Sequence, residues 1–102
     1  MKKIVDGKTY NTETATELGV WGNDYGTTDF RWCDETLYRT KKGAYFLFGE
    51  GGAMSRYAGR YGDMWGDGEE LIPLEEKEAK EWAERKLDAD EYIAAFGEPE
   101  EA

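Results

Sequence analysis

The fold turns on residues 35–50, Glu35-Thr36-Leu37-Tyr38-Arg39-Thr40-Lys41-Lys42-Gly43-Ala44-Tyr45-Phe46-Leu47-Phe48-Gly49-Glu50. Two runs rich in aromatic and β-branched residues flank a short Lys41-Lys42-Gly43 break. That is a β-hairpin signature, with Gly43 free to take the positive φ of a tight turn or G1 bulge. Tyr45-Phe46-Leu47-Phe48 is the most apolar tetrapeptide in the chain and reads as a central strand, apolar on both faces.

Upstream, Lys2–Val5 and Lys8–Tyr10 read as a small hairpin around Asp6-Gly7, a type I′ dipeptide. Asn11 or Thr12 offers a helix N-cap, and Gly19 a C′ residue, so the pattern predicts a two-turn helix between them. Residues 21–29 read as a loop. Downstream, Gly49-Glu50-Gly51-Gly52 is expected to break the sheet. Residues 53–61 are expected to form a short helix with Tyr57 and Ala58 inward, and 62–68 a flexible loop anchored by Trp65. Residues 69–72 read as a last strand, whose pairing Pro73 ends at a sheet edge.

The clearest helix follows, with Ala79, Trp82, Ala83 and Leu87 at i, i+3, i+4 and i+8. Asp88 and Glu91 form a capping box for a second helix, with Leu87 and Tyr92 placed as a hydrophobic staple and Gly97 as the stop. Tyr92, Ile93 and Phe96 are its core face. The reading is one α+β domain over 1–102: a small antiparallel sheet around the central hairpin, short helices, and a C-terminal helical pair.

Composition narrows the function classes. Thirteen basic residues against 23 acidic ones leave a formal charge of −10, which disfavours nucleic acid and anionic membranes as direct ligands and favours a basic partner. Residues 1–62 carry nine basic and eight acidic residues, while 63–102 carry four and fifteen. The whole acidic excess therefore lies in the last two fifths. No run of about 18 apolar residues is present to span a membrane. The N-terminal lysines lack the apolar stretch of a signal peptide, so a cytosolic protein is expected. Cys33 is the only cysteine, which excludes an internal disulfide and fits a reducing compartment.

Catalytic chemistry is poorly supplied. With no histidine, Ser55 and Cys33 lack an imidazole partner, and only a carboxylate pair remains for acid–base work. A structural zinc site lacks ligands. Asp63, Asp67, Glu69 and Glu70 miss EF-hand spacing because Trp65 stands at the third position, which leaves a solvated acidic loop. Gly49–Gly52 lacks the Lys-Ser or Lys-Thr of a phosphate-binding loop and reads as a tight turn. Trp21, Tyr25, Trp32, Tyr57, Tyr61 and Trp65 read mainly as core, with Trp21 and Trp65 the loop positions available to a partner. No metal or cofactor is expected.

The acidic late segment carries the functional expectation. Carboxylates three or four apart on a helix sit roughly 5–6 Å from one another. Such a row approximates the phosphate track of DNA and competes for a basic groove. The contact set is Glu69, Glu70, Glu75, Glu76, Glu78, Glu81, Glu84, Asp88, Asp90 and Glu91. The alternatives are a high-solubility acidic surface, an interaction module using exposed loop aromatics, and a small carboxylate-dependent enzyme.

The order of motifs adds a resemblance. Asp6 to Ala15, Glu35 to Gly43, Gly49-Glu50-Gly51-Gly52, and Ile72-Pro73-Leu74 with Glu78-Ala79 and Trp82 resemble a family of small proteins from bacterial genomes and their mobile elements. The chain also looks like anti-CRISPR proteins of the DNA-mimicking kind, which block type I Cascade surveillance complexes. The resemblance implies a monomeric, non-enzymatic inhibitor in a bacterial cytoplasm, with a Cascade-like effector as its partner. Its motifs mark the fold and assign no functional residue.

Overall fold

The central hairpin forms as its sequence indicates. In the computed structural model, which describes all 102 residues, strands β4 (Cys33–Arg39) and β5 (Tyr45–Gly51) pair antiparallel around the Lys41–Gly43 turn, with Gly43 at φ 90°. A side chain there would be strained, because that region suits only glycine. β3 (Thr16–Gly22) joins one side of this pair and β8 (Gly68–Leu74) the other, giving the antiparallel order β3-β4-β5-β8. Two separate hairpins complete the strands: β1 (Lys2–Val5) with β2 (Lys8–Asn11), and β6 (Gly59–Tyr61) with β7 (Met64–Gly66). Helices α1 (Glu76–Lys86) and α2 (Ala89–Phe96) close the chain. The fold is α+β.

Successive strand residues point to opposite sheet faces. One face meets the helices: Leu37 and Leu47 pack with Ala79, Trp82 and Ala83, ringed by Leu18, Trp21, Tyr45, Ile72, Leu74, Leu87, Tyr92 and Phe96. The alanines at 79 and 83 are fully buried, and their small size lets α1 lie close on the sheet. The other face carries Phe46, stacked on Tyr38 and met edge-on by Tyr10 of β2. Lys3 Nζ of β1 donates to the Leu71 carbonyl, so the first hairpin covers this end of that face.

Several local expectations fail for identifiable reasons. The helix expected between residues 12 and 19 is a turn followed by β3. The Asn11 cap is real, but it closes only one turn: its Oδ1 accepts from Glu13 N, and its carbonyl from Thr14 N and Ala15 N. Gly19 stops nothing; it sits in the strand opposite Leu37, and the Leu87 side chain lies over it. Trp21 belongs to β3 and packs against the core, with Lys86 Nζ 3.6 Å from its ring centroid.

Residues 53–61 form turns and β6, not a helix, because the Ser55 hydroxyl donates to the Gly52 carbonyl and accepts from Tyr57 N. Tyr57 is buried as expected. Gly49 and Gly51 continue β5 without breaking it, since the absent side chains make room for Tyr57 and Ser55. Trp65 anchors nothing: it lies on β7, 58% exposed, beneath Arg60. Pro73 does not end pairing, which runs on to Leu74 opposite Tyr45; β8 is nevertheless an edge strand, where a missing N–H costs nothing. No helix is long and apolar enough to cross a membrane.

Candidate functional site

Two carboxylate arrangements stand out, one on each face of the sheet. On the helix face, Glu35 of β4 is 2% exposed. It accepts from Trp82 Nε1 of α1 at 3.0 Å, from the Tyr57 hydroxyl, and from Arg56 Nη1 at 3.4 Å. Three donors from two distant segments thus satisfy one buried carboxylate, the condition under which such a group is tolerated. Burial, then the bond to Glu35, holds the Tyr57 phenol well above its ordinary range. This node ties the 52–58 turn and α1 to the sheet. The carboxylate is buried and fully partnered.

On the opposite face the strand register assembles a second group. Gly22 pairs with Asp34, Asp34 with Glu50, and Glu50 with Glu69, one level across all four strands. Gly22 lacks the side chain that would collide with Asp34 Oδ1, 2.6 Å from where its Cβ would stand. Three carboxylates therefore form a cross-strand row. None makes an ion pair; the chain's ion pairs are Asp29–Arg31, Glu35–Arg56 and Glu76–Lys80. Like charges directly opposite in a sheet destabilise it. Partial burial, then the neighbouring charges of Asp34 and Glu69, push the Glu50 carboxyl above its ordinary value. A groove of about 540 Å³ adjoins the row, lined by Glu50 and Glu69 together with Trp32, Tyr61 and Asp67.

The ten acids singled out from sequence fall into two groups. Glu69 joins the row, while Glu70, paired with Gly49, is exposed on the neighbouring register level. The other eight lie on the helical pair, all exposed. Three of them cap the helices themselves. Glu78 accepts from Glu75 N at 2.9 Å, Glu91 accepts from Asp88 N, and Asp88 Oδ1 accepts from Glu91 N. Glu76 is paired with Lys80 at 3.3 Å, and Glu81 and Glu84 share a surface groove with Lys77 and Lys80. Asp90 is exposed in the first turn of α2. The α1 acids thus alternate with lysines, whereas α2 with its cap, like the sheet row, carries carboxylates alone.

Asp34 and Glu50 were missed from sequence, yet the signal existed. Counting outward from the Lys41–Gly43 turn pairs Arg39 with Tyr45 and, five residues on, Asp34 with Glu50. No group of three or more His, Cys, Asp or Glu side chains is arranged to hold a metal ion. Comparison of the chain with protein-family models, with curated proteins and with solved structures finds no match.

Proposed function

We propose that this protein acts by binding, without catalysis, as an acidic decoy for the basic groove of a nucleic-acid-binding protein. The observation that carries the reading is the Asp34–Glu50–Glu69 row. A fold that sets three like charges side by side, with no cation between them, spends stability on a surface suited to a positive partner. Neighbouring strands lie about 4.8 Å apart, so the row presents a charge at that interval, against one per ~3.4 Å along a single DNA strand. Exposed Glu70, Glu81, Glu84 and Asp90 belong to the helix side of the sheet, so they add to the net negative charge and not to the row itself.

The motif resemblance makes a Cascade-type effector in a bacterial cytoplasm the first partner to test, with the protein acting as a monomer. Capture of the effector at low salt and its release near ~0.5 M salt is the expected result, because screening shortens the reach of exposed charge. Capture unchanged by salt sinks the electrostatic reading.

One observation favours a second reading. The β6–β7 hairpin exposes Tyr61, Met64 and Trp65. An interaction module built on that apolar tip would lose binding on Trp65→Ala and be largely indifferent to salt.

A further inference from the structure

The two edges of the four-stranded sheet are finished differently. In an antiparallel ladder, alternate residues turn their N–H and C=O toward a given neighbour. Asn23 N, just past β3, donates to the Cys33 carbonyl at 3.1 Å and sets the phase. Trp21 and Gly19 therefore bond β4, while Val20 and Gly22 turn their backbone groups outward. At the other edge, Lys3 Nζ takes the outward Leu71 carbonyl, and Pro73, two residues on, has no N–H to offer. Such devices blunt an edge against further pairing. Val20–Gly22 has neither. β4 is the only strand beside β3, Val20 is 54% exposed and Gly22 is exposed. The β3 bulge lies further back, between Glu17 and Gly19.

The open edge also carries a charge. Asp34 pairs with Gly22, and its Oδ1 stands 2.6 Å from the point that a Gly22 Cβ would take. The carboxylate thus leans over the glycine toward the edge, and it has no ion-pair partner. A strand added outside β3 would lie about 4.8 Å beyond it. Its side chain opposite Gly22, on the Asp34 face, would meet that carboxylate with no side chain between them. Val20, two residues back, shares the face and offers an apolar neighbour.

We propose that β3 accepts a fifth strand: an extended segment of a basic partner pairs antiparallel with Val20–Gly22, setting an arginine or lysine opposite Gly22 and, two residues later, an apolar residue opposite Val20. The main chain supplies the pairing, and Asp34 supplies the selection for a cation. The inference rests on the decoy reading, for which it names the element through which the partner attaches.

The test is a two-dimensional ¹⁵N–¹H titration of the full chain with N-acetyl-Thr-Arg-Thr-Val-Thr-amide. Controls are the same peptide with glutamine for arginine, and one N-methylated at Arg and Val, which cannot donate to β3. The Val20 and Gly22 amides are expected to move downfield, saturate and gain protection from hydrogen exchange, while those of Gly19 and Trp21, already bonded to β4, change little. The glutamine peptide, or Asp34→Asn in the protein, is expected to weaken binding about tenfold, and N-methylation to abolish it. Val20 and Gly22 amides that the arginine peptide leaves unprotected, or that the glutamine or N-methylated peptide protects as well, overturn the proposal. Protection that grows with protein concentration alone makes a second copy the occupant and overturns it too. The decoy reading is judged apart, by displacement of DNA from the effector. Val20→Pro removes one outward N–H and leaves the β3–β4 ladder intact. A folded Val20→Pro protein that displaces DNA as well as wild type removes only the edge, and uptake of the peptide without any displacement of DNA removes only the decoy.

Discussion

The Tyr57 ring occupies the volume that a Cβ on Gly49 would need. Gly49 pairs with Glu35, and Tyr57 passes over the glycine to reach the Glu35 carboxylate. The contact is therefore a fixed part of the buried node, since the far end of the ring is pinned by its hydrogen bond. Gly49→Ala is expected to lower stability by about 2–3 kcal/mol through overpacking. In a Tyr57→Leu background the same substitution is expected to cost under about 1 kcal/mol, a non-additivity measured by urea unfolding of the four proteins in the cycle. Equal costs in both backgrounds contradict the assignment.

The donors to Glu35 rank by burial. Glu35→Ala leaves the Trp82 and Tyr57 donors without a partner and is expected to cost about 3–5 kcal/mol. Tyr57→Phe removes one of three donors and is expected to cost about 1–3 kcal/mol. Arg56, mostly exposed, is expected to matter least, about 0.5–1 kcal/mol on change to Ala. Denaturant midpoints of the three variants give the order directly.

The acidic row has a pH signature. Glu50 holds its proton more tightly in the folded chain than the ordinary 4.5, through burial and then the charges of Asp34 and Glu69. The folded state therefore binds more protons than the unfolded state as pH rises from that value, and stability falls across the same window. Glu50→Gln is expected to raise stability at pH 7 by about 0.5 kcal/mol, with the gain vanishing near pH 3, where the wild-type carboxyl is protonated in both states. Thermal melts at the two pH values measure it.

Alkali acts on the other face. Tyr57 and Cys33 are both raised, each chiefly by burial, from ordinary values of 10.0 and 9.0. Each favours the folded state while neutral, so their contribution is complete below those values and is lost as pH climbs above them. Stability is expected to drop between about pH 9 and 11. Tyr57→Phe should be less stable at pH 7 but show a shallower decline, as followed by denaturant midpoint against pH.

Legibility in the sequence followed the range of the interactions. The central hairpin was readable because an aromatic run, a short break and a turn glycine are contiguous. The helical pair was readable because Asp88, Glu91 and the Ala79–Leu87 stripe act within a few residues. Asn11 misled because the same side-chain acceptor opens a helix or closes a single turn, and only the pairing of β3 with β4 decides between them. The 53–61 segment misled because Tyr57 answers to Glu35, far away in sequence. Of the acidic row, Asp34 and Glu50 follow from hairpin arithmetic, whereas the place of Glu69 depends on where β8 docks along β5.

The proposed contact for a basic groove is the sheet row. Its most direct test is competition between this protein and labelled duplex DNA for a Cascade-type effector at low salt. Wild type is compared with two variants: Asp34→Asn, Glu50→Gln, Glu69→Gln together, and Glu81→Gln, Glu84→Gln together. Wild type is expected to displace the DNA, the row variant to lose about 100-fold in potency, and the helix variant no more than about fivefold. A row variant that displaces DNA as well as wild type, while remaining folded, contradicts the account.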